Sequence, residues 1–339
     1  DFGQVSVNFG QPISLEHFLS DRVDSALEMI EPDEHKAICR DLGHHIVQGI
    51  NAAIPVNPTQ ILATLFVHAG HLEIPEKILR RQLRFLVTLI EVDQISSIFD
   101  QSDAQIIDYF LSTSGAERQL REGESVITIT TGGLIDMRYY SNSVAHLFVL
   151  PSLVANRIRQ GSMIGIESLA DEIHALAPLL DAIYFCELAP NTERLIQILE
   201  IFDFKPAVDA TNLTPDLGPI AQIIAPHLHR IALVCALLDI QPNLLDDLTP
   251  INARLKALTS KTTAFHPEDL ILTEQLIQAL TQPQSINQSV KGINTQHKAP
   301  EINPQAAILS LISAEDQLSL QKLALNLVEE NIQSTATTS

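Results

Sequence analysis

From about Asp21 onward, apolar side chains return at three- and four-residue spacing along nearly the whole chain, and that period commits it to helices. Asn57 and Pro58 supply an N-cap and a first-turn proline ahead of Leu62, Leu65, Phe66 and Val67, and Gly70 ends the helix. Pro75 opens the next helix, whose apolar stripe is Ile78, Leu79, Leu83, Leu86 and Ile90. The same reasoning predicts helices over residues 35–53, 102–112, 141–160, 166–185, 193–202, 218–239, 268–281 and 304–330. Aromatic residues make up only 5% of the chain and Trp is absent, so Leu, Ile, Val and Ala must build the core.

Two stretches break the helical period. Val5-Ser6-Val7-Asn8-Phe9 alternates apolar and polar side chains like a strand, Gly10 and Pro12 stop it, and Ser14 stands as N-cap before Leu15, Phe18 and Leu19. A lone strand feeding a helix is no domain, so it is expected to join a sheet lying before Asp1. Further on, Ser125–Thr130 and Leu134–Tyr139 flank Thr131-Gly132-Gly133, which predicts a β-hairpin because Gly-Gly supplies the positive φ of a tight turn. Gln282–Pro304 is rich in Gln, Asn, Ser and Pro and reads as a flexible connection. The expected layout is therefore 1–20 as the end of one domain and 21–281 as a helical domain. A linker over 282–304, a helical segment over 305–333 and a disordered tail over 334–339 complete it.

Asp and Glu outnumber Lys and Arg by 41 to 21, and the formal charge of −20 repels phosphate backbones. The segment Pro58–Glu91 with a later hairpin also resembles a winged helix, but that charge argues against nucleic acid as a partner. The cysteines Cys39, Cys186 and Cys235 lie far apart and form no C-x-x-C pair, as reduced cytoplasmic thiols do. The chain opens on Asp1 with no visible signal peptide, and it reads as a fragment of a longer protein. No apolar run approaches the roughly 20 residues that cross a bilayer. The best, Ile231–Leu238 and Val144–Val154, read as buried helices, so any membrane attachment is expected to be peripheral.

Two stretches carry a family resemblance. Val5–Ile13, continuing into Leu15 and Phe18-Leu19, resembles the V-x-F-G-x-P segment that closes the acyltransferase domain of bacterial, membrane-associated glycerol-3-phosphate acyltransferases. Met137-Arg138-Tyr139-Tyr140-Ser141-Asn142, then Ala145-His146 and Val149-Leu150-Pro151-Ser152-Leu153, is similar to a longer motif in their C-terminal region. Ile50-Asn51-Ala52-Ala53 fits between them in order. The resemblance implies a mainly α chain: a helical C-terminal domain with a small β-hairpin, preceded by the last strand of an α/β acyltransferase domain. It implies a parent enzyme that moves a fatty acyl group from acyl carrier protein or acyl-CoA to the sn-1 hydroxyl of glycerol-3-phosphate in phospholipid biosynthesis. It also implies a peripheral place on the cytoplasmic face of the inner membrane, and no cofactor. A dihydroxyacetone-phosphate acyltransferase and a freestanding helical interaction module are the alternatives.

The family's catalytic His-x-x-x-x-Asp pairs a general base with the Asp that orients it. No histidine in this chain has Asp five residues on; His68 and His71 have Glu73 and Glu76 there, in the turn between two helices. The family's Glu-Gly and Arg phosphate motifs are absent as well, so the fragment alone is expected to be inactive, with no catalytic, cofactor or metal residue of its own. His44-His45 and the pair His227 and His229 do not share a helix face and are not read as metal ligands. His146 is expected to be buried and hydrogen-bonded near Tyr139 or Tyr140, on a helix that Pro151 kinks.

One charge feature stands out. Lys77, Arg80, Arg81 and Arg84 fall at i, i+3, i+4 and i+7 on one helix face, opposite Ile78, Leu79 and Leu86. This stripe is either a solvated face paired with Glu73, Glu76 or Glu91, or a contact for anionic headgroups or the acidic acyl carrier protein.

Overall fold

The computed structural model describes residues 7–20, 22, 31–69, 71–91, 94–161, 165–186, 188, 192–204, 217–240 and 304–337. They are mainly helical with one three-stranded sheet. The helix expected over 268–281 and all but the last residue of the 282–304 connection lie outside them. The chain forms two compact units: residues 1–149 with 184–187, and residues 150–183 with 188–339.

The first unit opens with Ser14 accepting from the His17 backbone N–H at 3.3 Å, which caps α1 (Leu15–Ser20). Helix α2 (Pro32–Ala52) starts on its proline. Helix α3 (Pro58–Ala69) is closed by a reciprocal cap: Asn57 N–H donates to the Gln60 side chain at 2.8 Å, and Gln60 N–H donates to Asn57 Oδ1 at 3.2 Å. Every residue of α3 from Pro58 to Phe66 is buried, the polar Thr59, Gln60 and Thr64 included, each of which is hydrogen-bonded. It forms the centre of this unit's core, with Phe66 stacked on Phe110 at 6.0 Å between ring centroids.

After α3 come β1 (Glu73–Pro75), α4 (Glu76–Val87), α5 (Asp103–Ser114), β2 (Glu117–Arg121) and β3 (Glu124–Thr128). Helix α5 carries a full capping box from Ser102 and Gln105 and ends on Gly115 in the left-handed region, φ +67°. The antiparallel sheet has the order β1-β3-β2. Helix, strand, two helices and a hairpin, with the first strand against the last, is the connectivity of a winged helix.

The hairpin exists, but its partners differ from those predicted. Arg121 pairs with Glu124 across a two-residue turn of Glu122 and Gly123, both at positive φ (51° and 86°), as a type I′ turn requires. The stretch read as the second strand is helix α6 (Thr131–Val144), capped by Thr130, whose Oγ1 accepts from Gly133 N–H at 3.0 Å. Met137, Ser141 and Val144 form its buried stripe, and this three- and four-residue period outweighs the short alternation of Ile135, Met137 and Tyr139.

Pro151 also sits differently from expectation. A 3₁₀ turn over Ala145–Phe148 separates α6 from α7 (Val149–Arg159), and Pro151 is the third residue of the new helix. Proline has no N–H and would clash with the Leu147 carbonyl in a continuous helix, whereas the first turn has no N–H partners to lose. The strand expected over 5–9 is not seen at Val7–Phe9, which has no regular structure; Val5 and Ser6 lie outside the described residues.

The second unit holds most of α7 with α8 (Ile166–Tyr184, its last residue in the first unit), α9 (Thr192–Ile201), α10 (Gly218–Ile240), α11 (Pro304–Ser310) and α12 (Ala314–Thr337). Helix α12 runs past Ser334, where a polar tail was expected to begin. Every residue of α7 from Pro151 to Ile158 is buried. Ser152 Oγ donates to the Ile220 carbonyl at 2.7 Å, and Asn156 Nδ2 donates to the Ser152 and Ala221 carbonyls at 2.8 Å each, fastening α7 to the start of α10. Contrary to the sequence expectation, α10 is long and apolar enough over Gly218–Leu237 to cross a bilayer, although most of that span packs inside this unit. Gln222, His227, His229 and Arg230 interrupt it and hide its length from a search for unbroken apolar runs.

Candidate functional site

The four basic residues singled out by sequence all lie on α4, but the structure divides them. Arg80 pairs with Glu76 one turn earlier. Arg84 donates from Nε to Asp103 Oδ1 at 2.6 Å, from Nη1 to the Phe99 carbonyl at 3.2 Å, and from Nη2 to the Gln101 carbonyl at 3.2 Å. It therefore ties α4 to the entry of α5. Lys77 and Arg81 project from the same helix with no ion-pair partner among the described residues. Of the three expected acidic partners, Glu76 takes Arg80, while Glu73 pairs with Arg121 at 3.0 Å.

Glu76 is the electrostatic centre of this region. Its Oε2 accepts from Arg118 Nε at 2.9 Å and Ser125 Oγ at 2.6 Å, and its Oε1 accepts from Arg80 and Arg118. Burial alone would raise its pKa, but the Ser125, Arg80 and Arg118 hydrogen bonds outweigh that and hold it at about 2. The alternating pattern in β3 and the reach of α4 place these groups together. In the sequence Glu76 stands as one expected partner of the α4 cations and at the His71 offset, and neither reading points to Arg118 or Ser125.

Lys77, Ile78 and Arg81 line an open depression with Glu124 and Ser125. Ile78, expected to face the core, is 42% exposed, because the buried stripe of α4 runs instead through Leu79, Gln82, Leu83 and Leu86. Leu120, opposite Ser125 on β2, is 78% exposed. Two cations without an ion-pair partner among the described residues, beside the exposed Ile78, suit a surface that is anionic and partly apolar, with Glu124 the opposing charge in the depression. The winged-helix connectivity does not turn this region toward nucleic acid: the outward residues of α5 include Ala104, Gln105, Asp108 and Ser112, with no Lys or Arg anywhere in the helix.

Lys77→Gln with Arg81→Gln is expected to leave stability within about 0.5 kcal/mol. Arg84→Gln is expected to cost about 0.5–1 kcal/mol, because it removes a half-exposed ion pair with Asp103 and two hydrogen bonds to carbonyls. Replacing all four therefore lowers the chemical-denaturation midpoint, and single variants locate the loss at Arg84.

The motif residues of the sequence meet elsewhere in this unit. His146 Nε2–H donates to the Asn51 carbonyl at 3.0 Å, and burial, only partly opposed by that bond, pushes its pKa down to about 4. Asn51 Nδ2 donates to the Tyr184 and Phe185 carbonyls at 3.0 and 3.1 Å. His68 Nε2 lies 3.3 Å from Ser141 Oγ. His146 is thus hydrogen-bonded as expected, but to the end of α2. Tyr139, at the heart of the motif, is exposed. Among the described residues no group of three His, Cys, Asp or Glu side chains is placed to hold a metal ion.

The sequence profile of the glycerol-3-phosphate acyltransferase C-terminal region matches residues 1–287. The glycerol-3-phosphate acyltransferase of Pseudomonas putida strain GB-1 is 25% identical over 96% of this chain and 42% of its own length. That of Pseudomonas syringae pv. tomato strain DC3000 is 26% identical over 97% of this chain and 43% of its own length. That of Pseudomonas fluorescens strain SBW25 is 24% identical over 97% and 42%. The chain spans less than half the length of these relatives.

Proposed function

Because this chain belongs to the glycerol-3-phosphate acyltransferase family as its C-terminal region, we propose that the whole protein transfers a fatty acyl group from acyl carrier protein or acyl-CoA to the sn-1 hydroxyl of glycerol-3-phosphate. The hydroxyl oxygen attacks the thioester carbonyl, a thiol leaves, and lysophosphatidate forms for phospholipid synthesis. The match over residues 1–287 carries this reading. The reaction needs a base for the hydroxyl proton, and no histidine here has Asp five residues on, so the catalytic pair belongs to the part of the protein outside this chain. In this reading residues 1–20 complete the catalytic domain, and the helical region that follows comprises the two units described above.

In this proposal the helical region supports the catalytic domain and helps hold it at the cytoplasmic face of the inner membrane. Lys77 and Arg81 make the electrostatic contact, to anionic headgroups or to the carrier protein, beside Arg80 and Arg84, whose charges are already paired. Exposed cations act over about a Debye length, so the contact weakens with salt. In the full-length protein, Lys77→Gln with Arg81→Gln is expected to reduce binding to anionic vesicles or carrier protein more at low salt than at high. Unchanged affinity for both leaves the pair as a solvated face.

Acyl transfer to glycerol-3-phosphate is expected from the full-length protein and not from residues 1–339 alone. Turnover by the purified chain, abolished by replacing one of its own histidines, overturns the placement of the catalytic site.

A further inference from the structure

Charge on and beside α4 is answered at most of its cations. Arg80 and Arg118 close on Glu76, Arg118 also on Asp108 at 2.9 Å, Arg84 on Asp103 and Arg121 on Glu73. Lys77 and Arg81 have no ion-pair partner among the described residues. They stand one helical turn apart, with Cβ atoms about 5–6 Å from each other. With Pro75, Ile78, Glu124 and Ser125 they line an open depression of about 810 Å³, within the size range of clefts that take small molecules. The Ser125 hydroxyl already donates to Glu76 at 2.6 Å, so the charged donors left for a ligand are the Lys77 ammonium and the Arg81 guanidinium.

A count of the surrounding charge decides what these two cations suit. Inside the depression Lys77 and Arg81 outweigh Glu124, while Arg80 and Glu76 cancel. Beyond it the sign turns, because Glu117 and Glu122 of the same hairpin are exposed and have no ion-pair partner among the described residues. An acidic protein helix is about 10–12 Å across and spreads its carboxylates along its length. Seating one over Lys77 and Arg81 brings other carboxylates against Glu122 and Glu124. A phosphate group instead concentrates its charge at one point between the two cations. A phosphomonoester carries about −1.5 to −2 at neutral pH and three terminal oxygens, so a net positive field draws it about twice as strongly as a singly charged diester. Ile78, exposed beside the cations, adds an apolar contact that a lipid uses and a free phosphate does not.

We infer that the α4 depression binds the phosphomonoester headgroup of a glycerolipid held in a bilayer. Lys77 and Arg81 take the phosphate, Ile78 rests against the lipid, and Glu124 holds down the affinity for singly charged headgroups. This rests on the reading above that Lys77 and Arg81 are the electrostatic contact of an acyltransferase, and it chooses the lipid over the carrier protein. Lysophosphatidate, the product proposed there, belongs to the class of lipid that the site selects.

Cosedimentation of residues 1–339 with vesicles of neutral phosphatidylcholine tests it, the vesicles carrying either phosphatidic acid or phosphatidylglycerol at matched surface charge. This chain is used because the proposed catalytic site, itself a phosphomonoester site, lies outside it. Phosphatidic acid vesicles are expected to bind about fivefold more tightly. Lys77→Gln with Arg81→Gln is expected to weaken that binding about tenfold or more and to remove the preference. Glu124→Gln is expected to tighten binding to both vesicles about fivefold, and Ile78→Ser to weaken it about threefold. All four side chains are exposed, so the melting points are expected to stay unchanged. Equal affinity for the two vesicles overturns the site, as does an affinity that the double variant leaves unchanged. Glycerol-3-phosphate that binds without vesicles, lost in the double variant and indifferent to Ile78→Ser, assigns the depression to a soluble phosphate and overturns the lipid. Acyl carrier protein that binds through Lys77 and Arg81 while neither vesicle binds overturns it in favour of a protein partner. Acyl transfer by the full-length protein is read separately. Transfer without the vesicle preference leaves the function standing without the site, and the preference without transfer leaves the site and removes the function.

Discussion

Leu153→Asp is expected to remove the chain from the soluble folded fraction. Leu153 is fully buried, and so is every residue from Pro151 to Ile158 around it on α7. The side chain that could answer a new carboxylate is Arg157, one turn on. It is already held by Glu172 at 3.2 Å and donates to the Ser310 carbonyl at 3.3 Å. Burial pushes the Glu172 carboxyl above its ordinary pKa and Arg157 opposes that shift, so diverting Arg157 would expose a second unfavourable charge. Loss of the leucine costs about 2–5 kcal/mol, and the buried unpaired charge adds several more. Together these approach a domain's whole stability of about 5–15 kcal/mol. Leu153→Ala bears only the first cost and is expected to fold with a lowered melting point. Circular dichroism of the soluble fraction reads both. An unchanged melting point for Leu153→Asp would place this helix face against solvent or lipid, not in a protein core.

The second large effect is centred on Glu76 and depends on pH. Its carboxyl is held at about 2 in the folded chain against an ordinary 4.5. A lowered folded pKa contributes stability that is fully present above pH 4.5 and is lost as pH falls toward 2. At about 1.4 kcal/mol per pH unit the contribution at neutral pH is roughly 3 kcal/mol. Glu76→Gln is therefore expected to destabilise the first unit by about 2–3 kcal/mol at pH 7, and the gap from the native chain narrows between pH 4.5 and 3. His146 acts in a separate window. Its lowered pKa gives stability that is present above about 6.5 and lost toward 4, and this affects both proteins alike. Hydrogen exchange of α3 amides as a function of pH measures the gap. A constant difference from pH 7 to pH 3 would mean that the carboxylate charge does not stabilise the fold.

The helices were legible because their signals are local. Asn57-Pro58, Ser14 and the spacing of Leu79, Leu83 and Leu86 each act within one or two turns, and each element begins close to where it was expected. The hairpin was misplaced by about one strand because β2 is an edge strand with charged residues at Glu117, Arg118 and Arg121, which mask its alternation. Thr130 then decides that Gly132-Gly133 opens a helix, by accepting a hydrogen bond that periodicity does not register. At the candidate site, the sequence placed four cations on α4 but not their partners. Asp103, Arg118 and Ser125 come from elements tens of residues away, and only the fold brings them to Arg84 and Glu76.

The first unit closes on a segment made long after its beginning. Asn51 donates to the carbonyls of Tyr184 and Phe185, 133 and 134 residues later, and the Phe185 ring lies 5.0 Å from that of His44. At a synthesis rate of about 5–20 residues per second, the end of α2 leaves the ribosome on the order of ten seconds before those carbonyls exist. Over that interval α3 can already pack on α6, but the amide of Asn51 has only water for a partner. Vectorial synthesis therefore completes the second unit's α7 and most of its α8 before the first unit is sealed, and a nascent chain halted at residue 149 would carry every helix of the first unit without its last fastening.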